Sequence, residues 1–156
     1  EITVGKILKQ IQKHKGFQRF LARFNGQPKI FISEVQNRTS NAYFPVDDFN
    51  DELLNEFSMA GDFVLIDEAA RKKLLNEIQY QNDGMVDARQ AKTIGKASGA
   101  DIMIFGNVRM QPRKRGGKTL KEYTMNIRMT DISRGIEVMR TRTRVNKFSE
   151  QSKVGW

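Results

Sequence analysis

The sequence predicts one α/β domain of the α+β kind, a single mixed, largely antiparallel sheet of about five strands with helices packed against it. Three observations carry this. Apolar residues recur at helical spacing in separate segments through the first two thirds of the chain. Short apolar runs lie between those segments. The last third changes to strict two-residue alternation. The resulting order is α-β-α-β-α-α-β-β-β. A chain of 156 residues suits one domain with one substantial core.

Val4, Ile7, Leu8 and Ile11 open the first helical stripe, and Phe17, Phe20, Leu21 and Phe24 resume it. The spacing predicts an amphipathic helix over 2–24, broken near Gly16. Its polar face carries Lys6, Lys9, Lys13, Lys15, Arg19 and Arg23. A solvated face over a core stripe explains this, and a membrane-surface or partner helix is the alternative. Asn25-Gly26-Gln27-Pro28 stops the helix. Lys29–Val35 reads as a buried strand, apolar at 30, 31, 32 and 35. Asn37–Asn41 is a polar loop of residues that bond to nearby backbone.

Asp47 or Asp48 is expected to cap a helix reaching about Met59, with Phe49, Leu53, Leu54 and Phe57 inward. Phe63–Ile66 is a short apolar strand. Asp67 caps the next helix, carried inward by Ala70, Leu74, Leu75 and Ile78 and closed by Asn82-Asp83-Gly84. Asp87 caps another, with Ala91, Ile94 and Ala97 inward and Gly99 at its end. Ile102 to about Met110 forms a strand, and Pro112–Lys118 an exposed loop. Tyr123, Met125, Ile127 and Met129 alternate with polar residues, so one face is buried and the other wet. A turn at 131–135 returns the chain as a last strand, Ile136 to about Val145. The expected divisions are an amphipathic helix over 1–27 packed on the domain, the globular domain over 28–148, and a loosely held tail over 149–156. Trp156 is an odd end to that tail, since a large ring usually seeks cover.

The charge is lopsided. Residues 109–147 hold twelve Lys and Arg against three Asp and Glu, which equals the whole net charge of +9. Such a field suggests one surface that meets something anionic. Arg140, Arg142 and Arg144 share one face of a strand, about 6.6–7 Å apart along it. Arg128 sits in the preceding strand, and Arg113, Lys114 and Arg115 in the expected loop. Like charges so close require solvent, intramolecular acids or an anionic partner.

Catalytic signals are missing. With no cysteine, thiolate catalysis, disulfides and thiolate metal sites are excluded. The single histidine, His14, has no nucleophile or acid at a suggestive local spacing. Asp47-Asp48 and Asp51-Glu52 suit the electrostatics of a helix start better than a cation site. Gly95, Gly99 and Gly106 make no phosphate-binding run, and Arg115-Gly-Gly-Lys118 lacks the spacing too. No catalytic residue, metal or cofactor is therefore expected. Nucleic acid is an alternative ligand for the arginines, but no aromatics interleave them to stack on bases. No membrane-spanning run occurs.

Several segments together resemble the LpoB-like outer-membrane lipoprotein activators of penicillin-binding proteins. They are Asn37-Arg38-Thr39, Gly61–Asp67, Gln81–Asp87, Ala91–Gly95, Gly99-Ala100-Asp101, Gly106-Asn107 and Asp131–Glu137. The order and spacing match from about residue 28 to 147. More distantly the pattern is similar to the amino-terminal domain of TolB and to curli-export pore proteins. The resemblance implies a non-catalytic periplasmic accessory protein that binds and regulates a bifunctional penicillin-binding protein, a peptidoglycan synthase. It also implies tethering to the outer membrane through an upstream lipidated cysteine that this chain does not contain. Two alternatives stay open: a polyanion- or nucleic-acid-binding domain, and a structural adaptor of an envelope complex that assembles with itself. The candidate partner-binding residues are Arg38, Arg113, Lys114, Arg115, Arg128, Arg140, Arg142 and Arg144.

Overall fold

The computed structural model describes residues 2–41 and 44–144. The expected tail, Trp156, Lys147 and the end of the last strand at Val145 lie outside them. Eleven elements follow one another: α1 Ile2–Lys13, α2 Lys15–Arg23, β1 Lys29–Ile32, β2 Gln36–Asn37, α3 Val46–Ala60, β3 Val64–Leu65, α4 Glu68–Leu75, α5 Ala88–Ser98, β4 Ile102–Arg115, β5 Lys118–Asp131 and β6 Ile136–Arg144. They build one mixed six-stranded sheet in the order β3-β1-β4-β5-β6, with β2 also paired to β4. The β1 strand is parallel to β3 and β4. The β4-β5-β6 half is an antiparallel meander. The predicted fold class is the one observed.

Helices cover the two sheet faces unequally. On one face α1, α2 and α3 send Ile7, Ile11, Phe17, Phe20, Leu53 and Phe57 against Ile32, Ile104, Val108, Met125, Ile127 and Met139. This is the main core. On the other face α4 and α5 send Leu74, Ala91 and Ile94 onto Phe31, Met103, Phe105 and Ile132. The sequence of β4 marks where that cover ends. Met103 and Phe105 lie under the helices, whereas Asn107, Arg109, Gln111 and Arg113 follow on the same side by alternation.

Several expected details are corrected. The expected break near Gly16 falls at His14. The His14 side chain caps α2 by accepting from the Gly16 amide at 3.0 Å. Gly16 serves a different need: a Cβ there would overlap the Val138 carbonyl oxygen of β6. Buried strand β1 ends at Ile32, and Ser33 turns the chain into β2, which no apolar pattern announced. Neither Asp47 nor Asp48 caps α3; both lie in its first turn behind Pro45. The α4 helix stops at Leu75, well before Asn82-Asp83-Gly84. Ala70 and Ala97 are exposed, and Arg71 and Gly95 take the inward places. Asp67 and Asp87 cap α4 and α5 as expected, and Gly99 closes α5 in the left-handed region.

The largest correction concerns Pro112–Lys118. It is not a loop but the end of a long hairpin. Gly116 and Gly117 both have positive φ, 55° and 77°, and form a two-residue turn between Arg115 and Lys118. Pro112 is tolerated because β4 pairs only with β5 at that point among the described residues.

Candidate functional site

The open part of the second face is an arginine-lined half-sheet. Register decides its composition. Arg128 pairs with Arg140, Asn126 with Arg142 and Thr124 with Arg144. Across β4, Asn126 faces Asn107 and Thr124 faces Arg109. Arg113 and Glu122 continue the same side toward the hairpin tip. The alternation that buries Met125, Ile127, Thr141 and Thr143 therefore turns these polar residues to the second face, where Asn107 is itself buried.

Two glutamates divide four of the arginines between them. Glu137 Oε1 lies 2.8 Å from Arg140 Nη2 and 3.5 Å from Arg128 Nε. A second bond from Arg140 Nε to Oε2, at 2.9 Å, makes that pair bidentate. These bonds raise Arg140 above the ordinary arginine value, the hydrogen bond first and the charge second. Glu122 Oε1 lies 3.2 Å from Arg113 Nε and 3.6 Å from Arg144 Nε. Arg109 and Arg142 have no carboxylate partner among the described residues. Short of the hairpin tip, six arginines against two glutamates leave a surplus of four positive charges on this half-sheet.

A polar ladder crosses the three strands beneath the arginines. Asn107 Nδ2 donates to the Asp83 carbonyl at 2.7 Å. Asn126 Nδ2 donates to Asn107 Oδ1 at 2.8 Å. Arg142 Nε donates to Asn126 Oδ1 at 3.2 Å. The first rung ties the sheet to the 81–85 loop. Gly84 in that loop has φ 81° and packs against Gln36 and Arg38, leaving no room for a side chain. Two depressions open above the ladder. One, of about 360 Å³, is lined by Asp83, Met85, Arg109, Arg128, Arg140 and Arg142 among others. Its neighbour, of about 260 Å³, is lined by Arg109, Arg113, Glu122, Arg142 and Arg144 among others.

The sequence-predicted residues are thus partly gathered. Arg113, Arg128, Arg140, Arg142 and Arg144 share the face. Arg115 follows on the same side at the hairpin tip, and Lys114 falls on the opposite side by alternation. Arg38 is exposed on the rim and donates from Nη2 to the Gln81 carbonyl at 3.3 Å. Its neighbours in the motif are spent inside their own loop. Asn37 Oδ1 accepts from the Thr39 amide at 3.0 Å and hydroxyl at 2.6 Å, and Asn37 Nδ2 donates to the Asn41 carbonyl at 2.9 Å. Asn41 Nδ2 reaches the Tyr123 hydroxyl at 3.1 Å.

Arg109, Asn107 and Asn126 join the face without being among the residues expected to bind a partner. Their shared parity with Arg113 was the available signal, and the expected strand end at Met110 concealed it. No group of three His, Asp or Glu among the described residues could hold a metal ion. No helix there is long and apolar enough to cross a membrane.

Fold and face together define a small α/β domain that presents an open, basic half-sheet. Residues 1–145 match the family described as the peptidoglycan-synthase activator LpoB, and the chain belongs to that family. Solved structures of the same fold include the LpoB C-terminal domain from Salmonella enterica, at 14% identity and a TM-score of 0.56, covering 82% of this chain and 90% of that one. The corresponding Escherichia coli domain matches at 15% identity and 0.55, covering 82% and 93%. The longer Escherichia coli LpoB structure determined by NMR matches at 13% and 0.55, and here the alignment spans 81% of this chain and 61% of that one. No curated protein sequence matches the chain.

Proposed function

We propose that this domain binds a bifunctional penicillin-binding protein and regulates its peptidoglycan synthesis without chemistry of its own. The observation that carries the reading is the family match over residues 1–145. The open half-sheet supports it. Its surplus charge would steer encounter with an acidic patch and set the register of docking. Regulation follows if the domain binds one conformation of the synthase more tightly than another, since a ligand shifts an equilibrium only by that difference. The reading includes a periplasmic location and attachment to the outer membrane through a lipidated cysteine upstream of this chain. Arg113, Arg128, Arg140, Arg142 and Arg144 would form the contact, with Arg38 at its rim.

The test is synthase activity and binding with and without the domain. Stimulation is expected, and weakening by the double substitution R140Q/R144Q. Neither binding nor a change in rate with any bifunctional synthase of the host would refute the reading. The uncompensated charge also favours one other occupant, a nucleic-acid strand. Oligonucleotide titrations at several salt concentrations separate the two, because phosphate contacts give a steep salt dependence.

A further inference from the structure

The geometry points to a two-seat carboxylate site on the half-sheet, centred on Arg109 and Arg142, that takes an extended polypeptide segment with acidic residues at alternate positions. The inference rests on the reading of this face as a docking surface, but not on the partner being a synthase.

Three observations build it. First, the arginines of the face are not equivalent. Glu122 and Glu137 occupy Arg113, Arg144, Arg128 and Arg140. Apart from Arg115 at the hairpin tip, Arg109 and Arg142 are the arginines of the face with no carboxylate partner among the described residues, so they keep charge to offer. Second, Arg142 is held in place. Its Nε is bound by Asn126, which is bound by Asn107, which is bound by the Asp83 carbonyl. The two terminal nitrogens of its guanidinium remain for a ligand, and an ordered donor loses less freedom on binding. Third, both depressions share Arg109, Asn126 and Arg142. One reaches on toward Arg140 and the other toward Arg144.

The spacing selects the ligand. The seats sit on either side of Arg142 in β6, so their separation follows the two-residue repeat of a strand, about 6.6–7 Å. An extended peptide places alternate side chains at that same repeat. The linings are polar apart from Met85 and Ile127, too hydrophilic for a small apolar molecule. The linings hold no aromatic ring on which a base would stack. Asp83 and Met85 wall one seat, and both seats are depressions in the face, which admit side chains but not a flat bilayer.

The probe is an unstructured decapeptide with glutamates at alternate positions, titrated at low salt and followed by NMR of the arginine Nε and strand amides. Saturable shifts at Arg109, Arg142 and their strand neighbours are expected. R109Q and R142Q should each weaken binding about tenfold, as loss of a charge-assisted contact implies. N126A should weaken it less, by freeing Arg142, and R134Q should leave it unchanged. Circular dichroism of each variant establishes that it folds. Equal binding of the glutamine analogue, unchanged affinity in R109Q and R142Q, or tighter binding of single-stranded DNA at the same salt would each overturn the inference. Synthase stimulation lost in R142Q with no peptide binding would refute the alternate-acid ligand and leave the docking reading standing. Peptide binding without any synthase response would refute the synthase as partner and leave the carboxylate site standing.

Discussion

Gly5 and Gly16 both lie in helices, yet alanine should act on them in opposite directions. At Gly5 nothing stands within 4 Å of an added Cβ. Gly5→Ala then gains only helix propensity, about 0.5–1 kcal/mol. At Gly16 the same methyl would fall on the Val138 carbonyl oxygen, well inside the 3.0 Å that real Cβ atoms essentially never show. The partner is backbone of β6 and cannot rotate away. Relief requires α2 to lift, and α2 seats Phe17 and Phe20 in the main core. Overpacking of this kind costs about 1–3 kcal/mol. Less the propensity gain, Gly16→Ala should lose about 1–2 kcal/mol. In a domain of this size that lowers Tm by about 2–8 °C. Urea titration at constant m value measures both variants. The effect reaches the site, because Val138 stands next to Glu137, the acid that binds Arg140 and Arg128. Chemical shifts of the β6 arginines should move in G16A and not in G5A. If both alanines stabilise alike, the close seating of α2 on β6 is wrong.

Arg71 is buried, donates from Nε to the Ile32 carbonyl at 2.6 Å and pairs with Glu68 at 3.0 Å. Arg71→Ala should cost about 2–4 kcal/mol by chemical denaturation, through an unsatisfied carbonyl and a cavity; a loss near zero would refute its role in tying α4 to β1. Burial raises the Tyr80 phenol above its ordinary value. The fold therefore holds that proton more firmly than the unfolded chain does. Its contribution is complete below the ordinary tyrosine value and is lost as pH rises through the raised one. Stability should fall in that alkaline window, and Tyr80→Phe should flatten the fall in pH-dependent melts. Glu122 is mostly covered between Arg113 and Arg144, both more than half exposed. Glu122→Gln should change stability by less than about 1 kcal/mol while tightening binding of the acidic decapeptide; weaker binding would show that Glu122 orders the face instead of masking it.

Much of the fold was legible because its signals are local. Asp67 and Asp87 cap helices with their own side chains, within three residues of the amides they satisfy. Gly99 follows the last turn of α5 in a conformation that costs other residues more. The alternation from Tyr123 to Met129 needs only one covered face to be visible. Local evidence misled where two elements meet. Ala70 and Arg71 are adjacent in α4, and hydropathy favours the alanine for the core. The buried place goes to the arginine because the carbonyl of Ile32, thirty-nine residues away, is left needing a donor. Residues 112–115 of the apparent basic loop are strand because β5 pairs with them residue for residue.

The sequence by itself determined most segment types and their order, though not β2 or the length of the β4-β5 hairpin, together with the concentration of positive charge near the carboxyl end and the family resemblance. All of these depend on residues close along the chain or on ordered motifs. Tertiary structure alone decided which arginines are neutralised. That outcome depends on the β4-β5-β6 register, on the bulge at Met129/Thr130 and on the reach of α5 over the sheet. A one-residue slip would turn each side chain to the other face. Ion pairs such as Glu122 with Arg144 join positions whose closeness no sequence pattern records.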